Sequence, residues 1–243
     1  NYSLHQRPTD TTTLPGHLEQ HKNAYGRMPK SVCADAGYGS EENYALLEKE
    51  QVEAFVKFPQ FDRALRGSKP ISAAAGKGML WDEDHEEYRC PEGHHMPWVG
   101  MTHRTTDNGY IQALAQYAAP PQCDTCPLRD ACAINRGNRM HEVSHRLEGY
   151  RQRAYAKLTS EQGVAHRKRR PHDVESVFGN LKANHGLRRF LLRGLDKVGI
   201  ETGLALLAHN LRKWAAKAQK RLTQALGPQL GQYMDQDSSL VRC

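Results

Sequence analysis

The sequence predicts an α/β protein interrupted by a small β-rich, cysteine-containing insertion, and three observations carry that expectation. Between Ser31 and Phe58 a short apolar run, a glycine turn, an amphipathic helix and a second apolar run follow one another as a βαβ-like unit. Between Lys77 and Arg136 two hairpin patterns are separated by turn signals, and most of the cysteines lie there. From Arg151 to Leu222 the periodicity is helical.

Each element has a local cause. Val32 to Ala34 forms a short strand, Gly37 and Gly39 a tight turn, and Ser40 a helix N-cap with Glu41 and Glu42 in the first turn, where carboxylates suit the helix dipole. The helix runs to about Gln51 with Tyr44, Leu47 and Ala45 inward, and Glu53 to Phe58 is the next strand. Asp35 stands at the exit of the first strand, at a sheet edge of the kind where α/β folds bind ligands. The alternative for Asp35 is a turn residue that caps its own backbone. Ser68 to Gly78 carries no pattern and reads as a loop.

The insertion opens with Met79 to Trp81, the acidic turn Asp82-Glu83-Asp84 and Glu87 to Cys90, a first hairpin. Met96 to His103 and Tyr110 to Tyr117 form a second, joined through Asn108-Gly109. Four of the six cysteines lie here: Cys90, then Cys123, Cys126 and Cys132 with x2 and x5 spacings. An x2 pair suits a tetrahedral thiolate site, so these four are candidate ligands of a structural Zn²⁺. The spacing of the last three cysteines also suits an iron–sulfur cluster, and free reduced thiols are the third alternative. His94 and His95 read as exposed turn residues. A disulfide framework is not expected, because nothing marks the chain as secreted.

Charge is unevenly placed. The 243-residue chain carries +7, yet Arg151 to Arg193 alone holds eleven Lys/Arg against Glu161, Asp173 and Glu175, a balance of +8. A basic excess confined to one segment marks a polyanion-binding face, and nucleic acid is the partner it implies. A helix containing Tyr150, Ala154 and Leu158 is expected to lead into a basic loop, Arg167, Lys168, Arg169 and Arg170. Val174, Val177, Phe178 and Leu181 then follow i, i+3, i+4, i+7 spacing, the buried stripe of a further helix. Glu175 and Lys182 are two turns apart on nearly the same face, with Gly179 between them. Glu175 is either an internal counter-charge or a ligand for a hard cation among phosphate-binding residues. His185 to Gly194 interleaves Arg188, Arg189 and Arg193 with Phe190 and leucines, as a phosphate grip or as a solvated basic face. A long helix follows from Lys197 to about Leu222, with Leu204, Leu207, Leu211 and Trp214 as its stripe, and a tail without regular structure is expected from 223 to 243. The expected division is 1–76 and 137–222 as two parts of one domain, with 77–136 inserted. No run reaches the roughly 18 apolar residues of a membrane span, and a DNA-acting chain is expected in the cytoplasm.

Ala34-Asp35-Ala36-Gly37-Tyr38-Gly39-Ser40-Glu41-Glu42-Asn43, then Glu175 with Phe178-Gly179 and Lys182, then Arg188-Arg189-Phe190 and Arg193-Gly194, closely resemble bacterial insertion-sequence transposases with a DDE catalytic domain. The likeness extends from Pro8 to Lys213. It implies an RNase H-like fold, here partial, with a mixed sheet and flanking helices. It also implies three carboxylates holding two Mg²⁺ (or Mn²⁺) ions for strand cleavage and transfer, and multimeric action on the element ends and target DNA beside the nucleoid. By this resemblance Asp35 is the second carboxylate, Glu175 the third, and Lys182 a DNA contact of the Glu-x6-Lys motif. The chain departs from the pattern at Lys168 and Pro171, where the family has Tyr and Arg, although Arg169 and Arg170 stand alongside. The family's first Asp lies on an earlier strand, so the expectation is an N-terminally truncated portion; Asp10 reads instead as a strand end and helix cap. The alternatives are a non-catalytic DNA-binding remnant with a structural metal and, further off, part of an iron–sulfur nuclease.

Overall fold

The computed structural model describes residues 2–6, 9–72, 78–119, 123, 125–132 and 137–237, with the side chains of 131 and 225–237 outside the description. Part of the expected loop at 73–77 and the end of the tail, 238–243, therefore lie outside the described residues. The chain divides into two compact units, 1–170 and 171–243.

The first unit begins with helix α1 (Leu14–Tyr25), strand β1 (Ser31–Ala34), a 3₁₀ turn (Ala36–Tyr38), helix α2 (Glu41–Lys49), strand β2 (Glu53–Val56) and helix α3 (Phe61–Leu65). β1 and β2 pair in parallel, Ser31 opposite Glu53 through Ala34 opposite Val56, with α2 as the crossover. The expected βαβ unit is thus present. Ser40 caps α2 by accepting from the Asn43 N–H, and Tyr44 and Leu47 are buried, as the periodicity required. The Tyr44 hydroxyl donates to the Val56 carbonyl at 3.0 Å, fixing α2 on β2. Leu47, Phe55, Val56, Phe58 and Phe61 form the centre of this core, with Leu14 and Leu18 from α1. Each such side chain, fully buried, contributes about 1.5–3 kcal/mol of transfer free energy. Gly39 is required by close approach: a Cβ there would lie 2.3 Å from the Lys57 carbonyl oxygen and 2.7 Å from Phe58 Cα.

The module from Met79 to Val143 contains two three-stranded antiparallel sheets. One is β3 (Leu80–Asp82), β4 (Glu87–Arg89) and β5 (His95–Met96); the other is β6 (Trp98–Thr105), β7 (Ile111–Ala118) and β8 (Met140–Val143). Both expected hairpins form, and Gly109 takes φ +82° in the second turn. β8 was not anticipated: four residues long, it reveals itself only by pairing with β7. A short helix, α4 (Arg129–Cys132), precedes it. Met79, Tyr88, Met96, Ala115, Tyr117, Ala119 and Val143 form a second core, against which Cys90, Cys123 and Cys132 pack.

Glu41 joins the module to the βαβ unit. It is only 5% exposed at the first position of α2, and it accepts hydrogen bonds from Tyr110 Oη (2.8 Å), Gln112 Nε2 (2.5 Å) and Ser144 Oγ (2.5 Å). Ser144 in turn caps α5 (His145–Thr159) by accepting from Leu147 N–H. That helix begins six residues before the expected Arg151, and buries Tyr150, Ala154 and Leu158 as expected.

Arg167 to Arg170 is not a loop. It lies within helix α6 (Glu161–Ala183), which continues through Pro171. Two contacts hold the segment ahead of the proline in helical form: Arg167 Nε donates to the Leu158 carbonyl at 3.0 Å, and Arg170 pairs with Asp35.

In the second unit the later part of α6 is followed by a non-helical segment and α7 (Leu195–Asp237). α6 ends at a left-handed Gly186 (φ +69°), with Leu187 N–H donating to Leu181 O and His185 N–H to Asn180 O. The expected buried stripe is corrected here: Leu181 is buried, but Val174 is exposed and Phe178 is 56% exposed. Leu204, Leu207, Leu211 and Trp214 are likewise exposed along α7. Helical spacing specifies a face without specifying its cover. Where a tail without regular structure was expected, α7 runs past Gly227-Pro228 to Asp237.

Candidate active site and nucleic-acid face

Asp35 leaves β1 and opens the 3₁₀ turn. Its Oδ1 accepts from the Gly37 N–H at 3.1 Å, so the turn-capping role is real. Its Oδ2 accepts from Arg170 Nη2 at 2.9 Å. The carboxylate is 45% exposed, so the pair contributes about 1 kcal/mol or less; its main effect is to fix an orientation. Each oxygen keeps a lone pair open, and a partly exposed, hard oxygen donor of this kind fits a divalent cation.

The turn itself is clamped from behind. Asn43 is fully buried and its Nδ2 donates to Thr11 O at 2.8 Å and Tyr38 O at 3.0 Å. Thr11 Oγ1 donates to Gly37 O at 2.9 Å. This brings in Asp10, which sequence reasoning had set aside as a cap. The cap position of α1 is Thr13, and a methyl group on Gly37 would meet Asp35 Oδ1 at 3.2 Å and Asp10 Oδ2 at 4.0 Å. Both carboxylates therefore face the same side of the turn. Burial, and then the charges of Asp10 and Asp35, raise the pKa of Tyr38, which Thr13 and Arg170 partly oppose. Burial pushes the thiol of Cys33, on β1, up, and its Sγ donates to His166 O at 3.8 Å.

The four basic residues of the expected loop separate by role once they are helical. Arg167 is turned inward, its guanidinium 5.4 Å from the Phe61 ring centre, and Arg170 is bound to Asp35. Lys168 and Arg169 are exposed. In the second unit, Glu175 and Lys182 are both exposed on α6, the carboxylate and the amine on one helix. Arg188, Arg189 and Arg193 are exposed on the segment between α6 and α7. That segment is fixed by Glu201, whose carboxylate accepts from the Leu191 N–H at 3.0 and 3.1 Å and from the Leu192 N–H at 3.0 Å. Asn180 Nδ2 and His209 Nδ1 lie 2.9 Å apart, so His209 joins α7 to α6.

Residues 89–215 match the family described as Transposase DDE domain. The chain belongs to that family. The match spans more than half of the chain, including Glu175, Lys182 and the basic run, and begins beyond Asp35. No curated protein and no solved structure matches the chain. A DDE transposase domain is that of a phosphoryl-transfer enzyme acting on DNA, and the exposed basic residues of α6 and the 188–193 segment suit such a partner. Among the described residues of this DDE domain, no helix is long and apolar enough to cross a membrane.

Two further clusters bear on metals. Asp82, His85 and Glu87 place ligand atoms within 4.8 Å of one another. They are already engaged, Asp82 with Arg89 at 2.7 Å and His85 at 3.2 Å, and Glu87 with His95. The Arg89 bond, above all, holds Asp82 down at about 2. Cys90, Cys123, Cys126 and Cys132 line a single pocket. His94 lines it as well, and is half-buried rather than exposed; His95 is exposed and meets Glu87 instead.

Proposed function

We propose that this chain carries the catalytic domain of an insertion-sequence DNA transposase, in which Asp35 and Glu175 are two of the carboxylates that hold Mg²⁺ or Mn²⁺. The observation that carries the reading is the family match over 89–215, which places Glu175 and Lys182 inside a transposase DDE domain. The exposure of Asp35 at the end of β1, beside Asp10, supports it from the other part of the chain. On this reading β1 and β2 belong to an RNase H-like sheet, and 77–136 is an insertion into that domain, between 1–76 and 137–222.

When bound, the divalent ions supply Lewis-acid activation of the attacking oxygen and stabilise charge on the leaving one. The chain's own residues do the positioning. Arg170 and the Gly37 amide orient Asp35, while Asn43 fixes the turn that carries both. Lys168, Arg169, Lys182, Arg188, Arg189 and Arg193 hold phosphates of the element ends and target DNA and set the register of the strand. Each such contact releases condensed counterions, which makes binding steeply salt-dependent.

The test is metal mapping with a readout independent of turnover. With Fe²⁺ in place of Mg²⁺, ascorbate and peroxide cleave a polypeptide beside the bound ion. Cuts are expected next to both Asp35 and Glu175, suppressed by excess Mg²⁺ and lost in Asp35→Asn or Glu175→Gln. Cleavage near one residue only, or a pattern indifferent to both substitutions, ends the proposal.

A further inference from the structure

We infer that Cys90, Cys123, Cys126 and Cys132 form a tetrathiolate site for one structural Zn²⁺ that ties the ends of the inserted module together. The inference is independent of the catalytic reading.

All five described cysteines are free, and four of them converge on one pocket although Cys90 is separated by 33 residues from Cys123. Chance does not readily bring every thiol of a module to one place, and thiols at x2 spacing are what a tetrahedral soft-ligand site requires. Cys90 sits on a turn that follows β4: its N–H donates to His94 O at 2.9 Å, and Gly93 N–H, at φ +88°, returns to Cys90 O at 2.8 Å. Cys123 and Cys126 share a second turn, with Cys126 N–H donating to Cys123 O at 3.3 Å, and Cys132 ends α4.

Hydrogen-bond donors and cations surround the sulfurs. Arg139 N–H donates to Cys123 Sγ at 3.5 Å, and the guanidinium of Arg139 donates to Cys132 O at 2.8 Å beside the pocket, with Arg129 also lining it. Amide N–H bonds to sulfur and adjacent cations offset the negative charge that four thiolates bring to a dication. The module also needs such a tie: among the described residues its core has seven buried members, three of the cysteines pack directly on it, and cores of this size are commonly stapled by metal.

Zn–S bonds of about 2.3 Å place tetrahedral sulfurs about 3.8 Å apart. No three of the sulfurs here lie mutually within 4.8 Å. Zinc therefore brings the four sulfurs closer together than they stand here.

The experiment uses the full chain purified under reducing conditions. Elemental analysis is expected to give one zinc per chain, released in proportion to modification of four thiols by a mercurial reagent. Co²⁺ exchanged into the site is expected to show the intense thiolate charge-transfer and visible bands of tetrahedral S4 coordination. Cys90→Ser and Cys126→Ser each lower Zn²⁺ affinity at least tenfold and the melting temperature of the apo and metal-loaded forms converges; Cys33→Ser leaves both zinc content and cobalt spectrum unchanged. If a Cys→Ser variant does not fold, stoichiometry and thiol protection in the parent chain still decide. Less than a tenth of an equivalent of zinc with no cobalt spectrum overturns the proposal, as do iron with acid-labile sulfide or a cobalt spectrum unaffected by Cys90→Ser.

Discussion

Replacing Glu41 is expected to cost more stability than replacing any other first-turn acid of the chain. Its carboxylate is buried and accepts from Tyr110, Gln112 and Ser144, groups on the second hairpin and at the start of α5. A hydrogen bond to a charged acceptor is worth about 1.5–3 kcal/mol, and a buried donor left without a partner costs about 1–3 kcal/mol. The three bonds are not additive, because Ser144 keeps its cap on Leu147 N–H, the Tyr110 hydroxyl keeps Arg146 at 3.3 Å, and removing the charge relieves its desolvation. Glu41→Ala should therefore lose about 3–5 kcal/mol. Glu41→Gln keeps the shape but turns an amide N–H₂ toward donors, and should lose about 1–3 kcal/mol. Glu42→Ala, in the same turn, is the control and should lose less than about 1 kcal/mol. Urea unfolding followed by tryptophan fluorescence measures all three, since Trp81 lies 5.6 Å from His145, at the start of α5, and reports on this junction. A loss for Glu41→Ala no larger than that for Glu42→Ala would refute the view that this carboxylate joins the module to the βαβ unit.

Gly39→Ala forces a methyl into the Lys57 carbonyl and should destabilise by about 2–4 kcal/mol, against near neutrality for Gly149→Ala, both read from chemical denaturation. Asn43→Ala removes two buried donor bonds and should cost about 2–3 kcal/mol, with faster amide exchange at Gly37 and Tyr38 as the local signature. Lys168→Ala with Arg169→Ala should weaken DNA binding and lower the slope of log affinity against log salt by about 2; an unchanged slope would remove these two residues from the interface. Burial pushes Tyr88 and Tyr110 up to about 12, with Glu41 adding to the shift at Tyr110, and raises Tyr44 as well. The folded state holds these protons more tightly than the unfolded chain, whose phenols titrate near 10, so stability is complete below about pH 10 and falls as pH rises toward 12. Phenolate absorbance from these tyrosines should rise together with unfolding; a rise completed near pH 10 while the chain is still folded would refute this.

What could be read from the sequence was local. The turn at Asp35, the Ser40 cap and the inward set of α2 depend on residues within a few positions of one another, and all three formed as the pattern indicated. Glu41 looked like a dipole-matching surface acid because its partners are 69, 71 and 103 residues away, a distance over which one sequence carries no pairing signal. The start of α5 did have a local signal, Ser144 followed by Glu148 in the first turn, but the basic residues from Arg151 onward obscured it. The loop expected at Arg167 to Arg170 is helical for a reason one sequence does not show: although a proline follows at 171, Arg167 bonds to the Leu158 carbonyl and Arg170 to the distant Asp35. Helical spacing at Val174 and Phe178 was sound as periodicity and silent about partners, which is why exposure there could not be foreseen.

The arrangement at Asp35 shows how a strand exit meets the demands that the proposed metal-binding role places on a carboxylate. Such a group has to be held to a fraction of an ångström while remaining open to water and substrate. A residue inside β1 would be held but covered, whereas one in a long loop would be open but loose. At the first position after the strand, the parallel pairing of β1 with β2 fixes the backbone on one side, and the buried Asn43 amide fixes it on the other. Gly39 lets the turn pass against β2 with no side chain between them, so the turn inherits the rigidity of the sheet. Arg170 then orients the side chain from α6, the same helix that carries Glu175 and Lys182 further along. Substitutions at Gly163, where a Cβ would lie 2.1 Å from the Lys157 carbonyl oxygen, are therefore expected to disturb Asp35 through Arg170 without touching it.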